Sequence, residues 1–113
     1  MTAPALVLTA DQRRLIAAIL RAELPRDALV YVFGSRATGR AGRFSDLDLA
    51  IDAGRKRSVD EHARLAEAFE DSDLPFRVDP LDWASASAAF RATIAADRVA
   101  LTPEAAAPVV PRG

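Results

Sequence analysis

The chain has 113 residues, enough for one domain with a modest core but too few for two. Its formal net charge of -1 argues against a generally basic nucleic-acid binder, and we expect no direct nucleic-acid binding. With no cysteine and one histidine, disulfides, thiolate metal sites and a histidine-built zinc site are excluded. Any metal would then be held by oxygen ligands, which favours magnesium or manganese.

The first elements predicted are a helix and a buried strand. Thr9 and Gln12 have the spacing of a capping box, and Pro25 ends the helix that follows. The apolar residues of this helix recur at helical spacing: Leu15, Ile16, Ile19, Leu20 and Leu24. Residues 28–33 are a short apolar run rich in β-formers, which predicts a buried strand.

The next stretch predicts a turn, a loop and a second strand. Gly34 breaks the first strand, and Ser35 is a good N-cap for a short helical turn from Arg36 to about Arg40. Residues 46–52 form the second strand. The basic run 55–57 is interpreted as a solvated turn.

A second helix and an edge strand follow. Ser58 and Glu61 form another capping box, and the helix continues to about Asp71. We expect its buried stripe to contain Val59, Ala63, Ala66 and Phe69. Residues 75–81 predict a third strand. Because Pro80 has no backbone donor, this is either an edge strand or the strand ends there.

The last predicted elements lie after Trp83, which should pack the next helix onto the sheet. That helix spans roughly Ser85–Ala96 with Phe90 and Ile94 facing inward, and residues 99–101 add a short extended piece. The fold class is therefore α/β (α+β), with a small mixed sheet of three to four strands flanked by about four helices. We expect one domain over residues 1–102 and a disordered tail over 103–113.

Acidic residues on the second strand are the strongest functional indication. Asp46, Asp48 and Asp52 have even spacing, so a strand would place all three on one face. The alternative is a solvated strand face, but the apolar residues between them argue against it. Asp46 and Asp48 project about 6.6 Å apart along the backbone, and such carboxylates can converge on two divalent ions roughly 3.5–4 Å apart.

The glycine pattern does not match the common phosphate loops. Gly34 and Gly39 have the separation of a P-loop, but Arg40 and Ala41 follow where Lys and Ser or Thr are required. No G-x-G-x-x-G is present either.

A different motif fits. Gly34-Ser35, ten intervening residues and then Asp46-Leu47-Asp48 resemble the GS-x10-D-x-D pattern of the polymerase-beta-like nucleotidyltransferase superfamily. The flanking sequences GSRATG and SDLDLAI are similar to its minimal nucleotidyltransferase (MNT) group. The resemblance covers about residues 6–101.

The resemblance implies a set of functional residues. Gly34, Ser35 and Arg36 would bind the nucleotide, since a glycine turn lets backbone amides approach a phosphate. Asp46 and Asp48 would be catalytic and bind Mg²⁺ or Mn²⁺ with a third acid from a neighbouring strand.

Asp79 is our choice for that third acid, as a metal ligand that also helps to deprotonate the acceptor hydroxyl. Asp82 is the competitor, but it has the wrong parity relative to Asp79. Asp52 is interpreted as a strand-end acid, and His62 as a surface or half-buried residue rather than a catalytic one.

The resemblance also implies an acceptor. MNT proteins are typically encoded beside a HEPN-domain toxin and transfer AMP from ATP to a tyrosine hydroxyl of that toxin, which makes them antitoxins. The alternatives are a non-catalytic antitoxin that masks its partner and a small-molecule, aminoglycoside-type nucleotidyltransferase. The sequence leaves homo- or hetero-oligomerisation open. It contains neither a signal peptide nor a membrane span, so we expect a cytoplasmic protein.

Overall fold

The computed structural model describes residues 8–38, 42 and 45–101. Its elements, in chain order, are α1 (Ala10–Glu23), β1 (Leu29–Phe33), α2 (Ser35–Thr38), β2 (Leu47–Asp52), α3 (Val59–Glu70), β3 (Val78–Asp82), α4 (Ala88–Asp97) and β4 (Val99–Ala100). A short 3-10 turn over Trp83–Ser85 connects β3 to α4. The predicted tail over 103–113 lies outside the described residues. Among the described helices, none combines the length and apolarity needed to cross a bilayer.

The four strands form one mixed sheet in the order β3-β2-β1-β4. β1 is antiparallel to both β2 and β4, whereas β2 and β3 are parallel. The predicted fold class is thus confirmed. The second strand begins at Leu47, so Asp46 immediately precedes β2.

The two faces of the sheet differ in chemistry. On one face, fully buried aliphatic side chains of β1 and β2 pack against α1 and α3 to form the core. These core strand residues are Val30, Val32, Leu47, Leu49 and Ile51. The opposite face carries Tyr31 and Phe33, which contact Trp83 and Phe90 respectively. Asp48, which is opposite Phe33 in the sheet register, lies on this second face.

Both predicted capping boxes are present. Thr9 Oγ1 accepts from Gln12 N, and Ser58 Oγ accepts from Glu61 N, while each glutamine or glutamate side chain accepts from its cap residue in return. The predicted stripe of α3 is wrong in part, since Val59 is 84% exposed. Phe69 is buried as predicted, and Leu65, which is outside the predicted stripe, is buried as well. Val59 lies about 120° around the helix from Leu65, at roughly 100° per residue.

The helix α4 also differs from the prediction. It begins at Ala88 because Ser87 Oγ caps it by accepting from Phe90 N, and the residues before it form the separate 3-10 turn. Ile94 is buried as predicted, but Phe90 is 41% exposed. Phe90 lies edge-on against Phe33, with 6.0 Å between ring centroids.

Pro80 lies on an edge strand, as predicted. Leu47 N donates to Arg77 O at 2.8 Å, which turns the carbonyl group of Arg77 toward β2. Because backbone groups alternate along a strand, the backbone positions of Val78, Pro80 and Asp82 face away from β2. Proline is tolerated at such a position since its missing N–H would have pointed out of the sheet.

Candidate active site

Gly34 lies where the turn after β1 meets the acidic strand. Its φ of 74° is in the left-handed region, and its carbonyl accepts from Ala37 N at 3.1 Å and Thr38 N at 3.3 Å. A Cβ atom at this position would lie 2.5 Å from Asp48 Oδ2. Both the backbone conformation and the approach of Asp48 therefore require glycine. Ser35, the first residue of α2, follows directly.

Asp48 lies between two strands that complete its surroundings. In the sheet register it is opposite Phe33 of β1 on one side and Asp79 of β3 on the other. Residues opposite each other on neighbouring strands share a face, and neighbouring strands are about 4.8 Å apart. Asp48 is half-buried, while Asp46 and Asp79 are exposed. The structure thus places Asp48 and Asp79 together, with Asp46 two residues before Asp48.

Burial raises the pKa of Asp48, and the negative charges of Asp79 and Asp46 raise the pKa further. Ionising Asp48 beside these two acids is therefore costly unless positive charge is supplied. An all-carboxylate set of oxygen donors suits a hard divalent cation such as Mg²⁺ or Mn²⁺. Within the part of the chain that the structure describes, however, no three His, Cys, Asp or Glu side chains are close enough to form a metal site as they stand.

Arg36 has a placement that the sequence did not predict. Its side chain is 1% exposed, and its Nε and Nη2 donate to Ser45 O at 3.0 and 2.8 Å. Its guanidinium carbon lies 4.0 Å from the centre of the Phe76 ring, a cation–π contact. Burial lowers the pKa of Arg36, and Asp46 opposes that shift. Arg36 therefore connects α2 to the residue immediately before Asp46.

Asp52 and Asp82 lie apart from this cluster. Asp52 ends β2, and its Oδ1 accepts from Gly54 N at 2.9 Å, as expected for a strand-end acid. Asp82 belongs to β3 but is buried, and its Oδ2 accepts from Arg57 N at 3.0 Å and Ser85 Oγ at 2.9 Å. Its parity is opposite to that of Asp79, as the sequence indicated.

The interpretation of residues 55–57 as a solvated turn is wrong for Arg57. This residue is 6% exposed because it lies against Asp82 and the first turn of α3, where its Nη2 donates to Glu61 O at 3.3 Å. Sequence reasoning missed this pair. The available indication was that Asp82, at the core-facing parity of β3, would need a partner for its charge.

Comparisons with known proteins show the family of this chain. The family model described as "Polymerase beta, Nucleotidyltransferase" matches residues 16–104. A relative in Haemophilus influenzae, "Probable protein adenylyltransferase MntA", is 44% identical over 87 residues, which cover 77% of this chain and 75% of the relative.

Similar solved structures come from toxin–antitoxin pairs. One, a toxin–antitoxin with AMP-PNP, has a TM-score of 0.68 and 30% identity and covers 83% of this chain and 73% of its own. Another, an MntA–HpeT mutant with two aspartates changed to glutamate, has a TM-score of 0.67 and 28% identity. The match covers 83% of this chain and 73% of that chain. A third, an MntA–HpeT mutant with one tyrosine changed to alanine, has a TM-score of 0.65 and 29% identity, with coverage of 83% and 72%.

Proposed function

The chain belongs to the polymerase beta nucleotidyltransferase family, and from that premise we propose that it transfers AMP from ATP to a tyrosine hydroxyl of a HEPN-domain toxin. In this role it is the antitoxin of a toxin–antitoxin pair. The relative named as an adenylyltransferase and the similar toxin–antitoxin structures support this proposal.

The observation that carries the proposal is the contact between the Gly34 turn and Asp48. A phosphate cradle must lie beside the acids for nucleotidyl transfer, because the α-phosphate reacts between them. Only 2.5 Å separates a Cβ position at Gly34 from Asp48 Oδ2, and Asp79 is next to Asp48 in register. Backbone amides of the turn and the Ser35 hydroxyl would hold the phosphates.

The three acids fit a divalent cation because all their donors are carboxylate oxygens, and because burial and the charges of Asp79 and Asp46 raise the pKa of Asp48. Asp46, Asp48 and Asp79 would hold Mg²⁺ or Mn²⁺, with the exposed Asp46 and Asp79 side chains turning toward Asp48. When bound, the metal supplies positive charge that stabilises the reacting phosphate and the departing pyrophosphate.

The remaining residues have separate roles in the proposed reaction. Asp79, on the outer strand, accepts the proton of the acceptor hydroxyl, which then attacks the α-phosphorus while pyrophosphate leaves. Arg36 fixes the Ser45 carbonyl and thereby the start of β2, so it positions Asp46 rather than contacting the nucleotide. In this proposal Arg36 therefore has a positioning role and not the nucleotide contact that the sequence led us to expect.

A second candidate is an antitoxin that neutralises its partner by masking alone. The similar structures are complexes of a toxin with its antitoxin, which favours tight binding as part of the function. Adenylyl transfer requires Asp46 and Asp48, whereas neutralisation by masking alone does not.

The experiment incubates the purified chain with α-labelled ATP, magnesium and the HEPN toxin encoded beside it. We expect rapid labelling of the toxin with the wild type and greatly slowed labelling with the Asp46→Asn, Asp48→Asn double variant. Replacing the acceptor tyrosine of the toxin by phenylalanine should remove the label. If the wild type neutralises the toxin without labelling it, and the double variant neutralises it equally well, the masking function replaces the enzymatic one.

A further inference from the structure

Three buried side-chain atoms have no hydrogen-bond partner among the described residues. They are Arg57 Nη1, His62 Nδ1 and Asp82 Oδ1. Arg57 and Asp82 are more than nine-tenths buried. Arg57 Nη2 donates to Glu61 O, and Asp82 Oδ2 accepts from Arg57 N and Ser85 Oγ. A buried donor or acceptor without a partner costs about 1–3 kcal/mol, so native structures seldom leave several together.

All three of these residues line one cleft of about 420 Å³ between the N-terminal half of α3 and the end of β3. The rest of its wall is largely apolar, formed by Val59, Ala63, Pro80 and Leu81 among others. Val59, 84% exposed, lies at the cleft and offers an apolar contact to an incoming group.

The chemistry of the cleft selects a neutral polar ligand. Arg57 Nη1 can only donate, whereas Asp82 Oδ1 as a carboxylate can only accept. The two charges offset each other, so neither a free anion nor a free cation is favoured. An amide supplies both complements, because its carbonyl accepts and its N–H donates.

We propose that this cleft docks a peptide segment of the partner protein, whose amide groups accept from Arg57 and donate to Asp82 while an apolar side chain contacts Val59 and Ala63. The proposal rests on the proposed function for the identity of the partner. The chemistry of the cleft by itself requires only a peptide.

The proposed docking cleft is separate from the acidic cluster. Asp82 has the parity of the core-facing residues of β3, whereas Asp79 lies beside Asp48 on the other face. A partner anchored in the cleft would therefore leave Asp48 and Asp79 accessible to its acceptor hydroxyl.

The first experiment tests the cleft without any partner. N-Methylacetamide is titrated into the ¹⁵N-labelled chain, and the resonances of Arg57, His62 and Asp82 are followed. We expect shifts that saturate and that are lost in Ala63→Leu, which fills the cleft without removing a buried polar group. If acetate gives the saturating shifts instead, or if neither probe gives them, the cleft holds an anion or water only and the proposal is overturned.

The second experiment measures the affinity for the same HEPN toxin used in the labelling assay. Ala63→Leu should raise Kd at least about tenfold, the size of effect expected from blocking a central contact. The matched control Ala18→Leu, at an exposed position of α1, should leave Kd within about twofold of the wild type. Thermal unfolding verifies that both variants are folded. An unchanged Kd for Ala63→Leu overturns the proposal.

Failure of this proposal and failure of the proposed function are distinguishable. Label transfer without an effect of Ala63→Leu on Kd overturns the docking cleft but not the enzyme. Saturating amide shifts and a raised Kd, with no label transferred, support the cleft and remove the enzymatic function. If the chain alone sediments as a dimer that Ala63→Leu dissociates, the occupant is a second copy and the partner assignment is overturned.

Discussion

Two aspartates of β3, three residues apart, have opposite surroundings. Asp82 receives hydrogen bonds from Arg57 N and Ser85 Oγ within the chain. Asp79 is exposed and lies beside Asp48, whose pKa is raised by burial and by its acidic neighbours. The fold thus compensates one carboxylate and concentrates negative charge around the others. Asp82 is thus fixed within the chain through its Oδ2 atom, whereas the carboxylates around Asp48 are left for a positively charged ligand.

The largest expected effect is on activity. The Asp46→Asn, Asp48→Asn double variant should transfer label about a thousandfold more slowly, a loss of about 4 kcal/mol of transition-state stabilisation. The rate of labelling under single-turnover conditions measures it. Asp52→Asn is the matched control, because Asp52 lies at the far end of the same strand, where its Oδ1 accepts from Gly54 N. An equal loss of labelling rate in Asp52→Asn would contradict the catalytic role proposed for Asp46 and Asp48.

The two aspartates of β3 should separate stability from activity. Asp82→Ala removes the acceptor of two hydrogen bonds and leaves the buried Arg57 without its nearby carboxylate, which should cost about 3 kcal/mol of the free energy of unfolding. Asp79→Ala removes an exposed side chain and should change stability by less than about 0.5 kcal/mol while label transfer is lost. Urea denaturation measures the first quantity. If both variants lose the same free energy of unfolding, Asp82 and Asp79 do not differ in their contribution to stability.

Two glycines with positive φ give a matched pair. Gly34→Ala and Gly54→Ala should each cost about 1–2 kcal/mol, since φ is 74° and 77° respectively. Only Gly34→Ala should also abolish label transfer, because its Cβ would displace Asp48 Oδ2, whereas nothing lies within 4 Å at Gly54. Thermal unfolding and the labelling assay together test this. An active Gly34→Ala variant would show that the turn and Asp48 need not be in contact.

The smallest effect is a pH dependence of stability in the absence of metal. The pKa of Asp48 is raised in the folded chain, so ionising this group costs more in the folded than in the unfolded state. The stability of the wild type should therefore fall as pH rises through that raised pKa. Asp48→Asn should be the more stable protein at neutral pH, and its advantage should vanish below the ordinary value of 3.8. Urea denaturation in EDTA at a series of pH values measures the stability of both proteins. If Asp48→Asn stays more stable than the wild type below pH 3.8, the raised pKa of Asp48 is not the cause of the difference.

Much of the fold follows from local sequence features. The capping boxes at Thr9 and Ser58 predicted two helix starts, and the edge position of Pro80 followed from its missing donor. The family resemblance is confirmed by the matching family model and by the relative at 44% identity. The site residues stay predictions, although the register that brings Asp48 and Asp79 together agrees with the choice of Asp79 over Asp82.

What the sequence did not predict depends on contacts between distant segments. Arg36 is buried because Phe76 and Ser45 meet around it in the folded chain, and no local pattern brings these residues together. Arg57 and Asp82 are 25 positions apart, so a basic run that resembles a solvated turn contains one buried cation. The buried face of α3 contains Leu65 and Phe69, and the predicted stripe included Phe69 but not Leu65.

Pro80 has a consequence for how the protein behaves when it is abundant. A sheet edge with a continuous row of outward N–H groups lets the strand of another molecule add to it, and such growth leads to aggregates. At Pro80 the outward position has no hydrogen to donate, so an added strand would lose a ladder bond in the middle of β3. The chain can therefore present this edge to solvent without inviting strand-by-strand polymerisation.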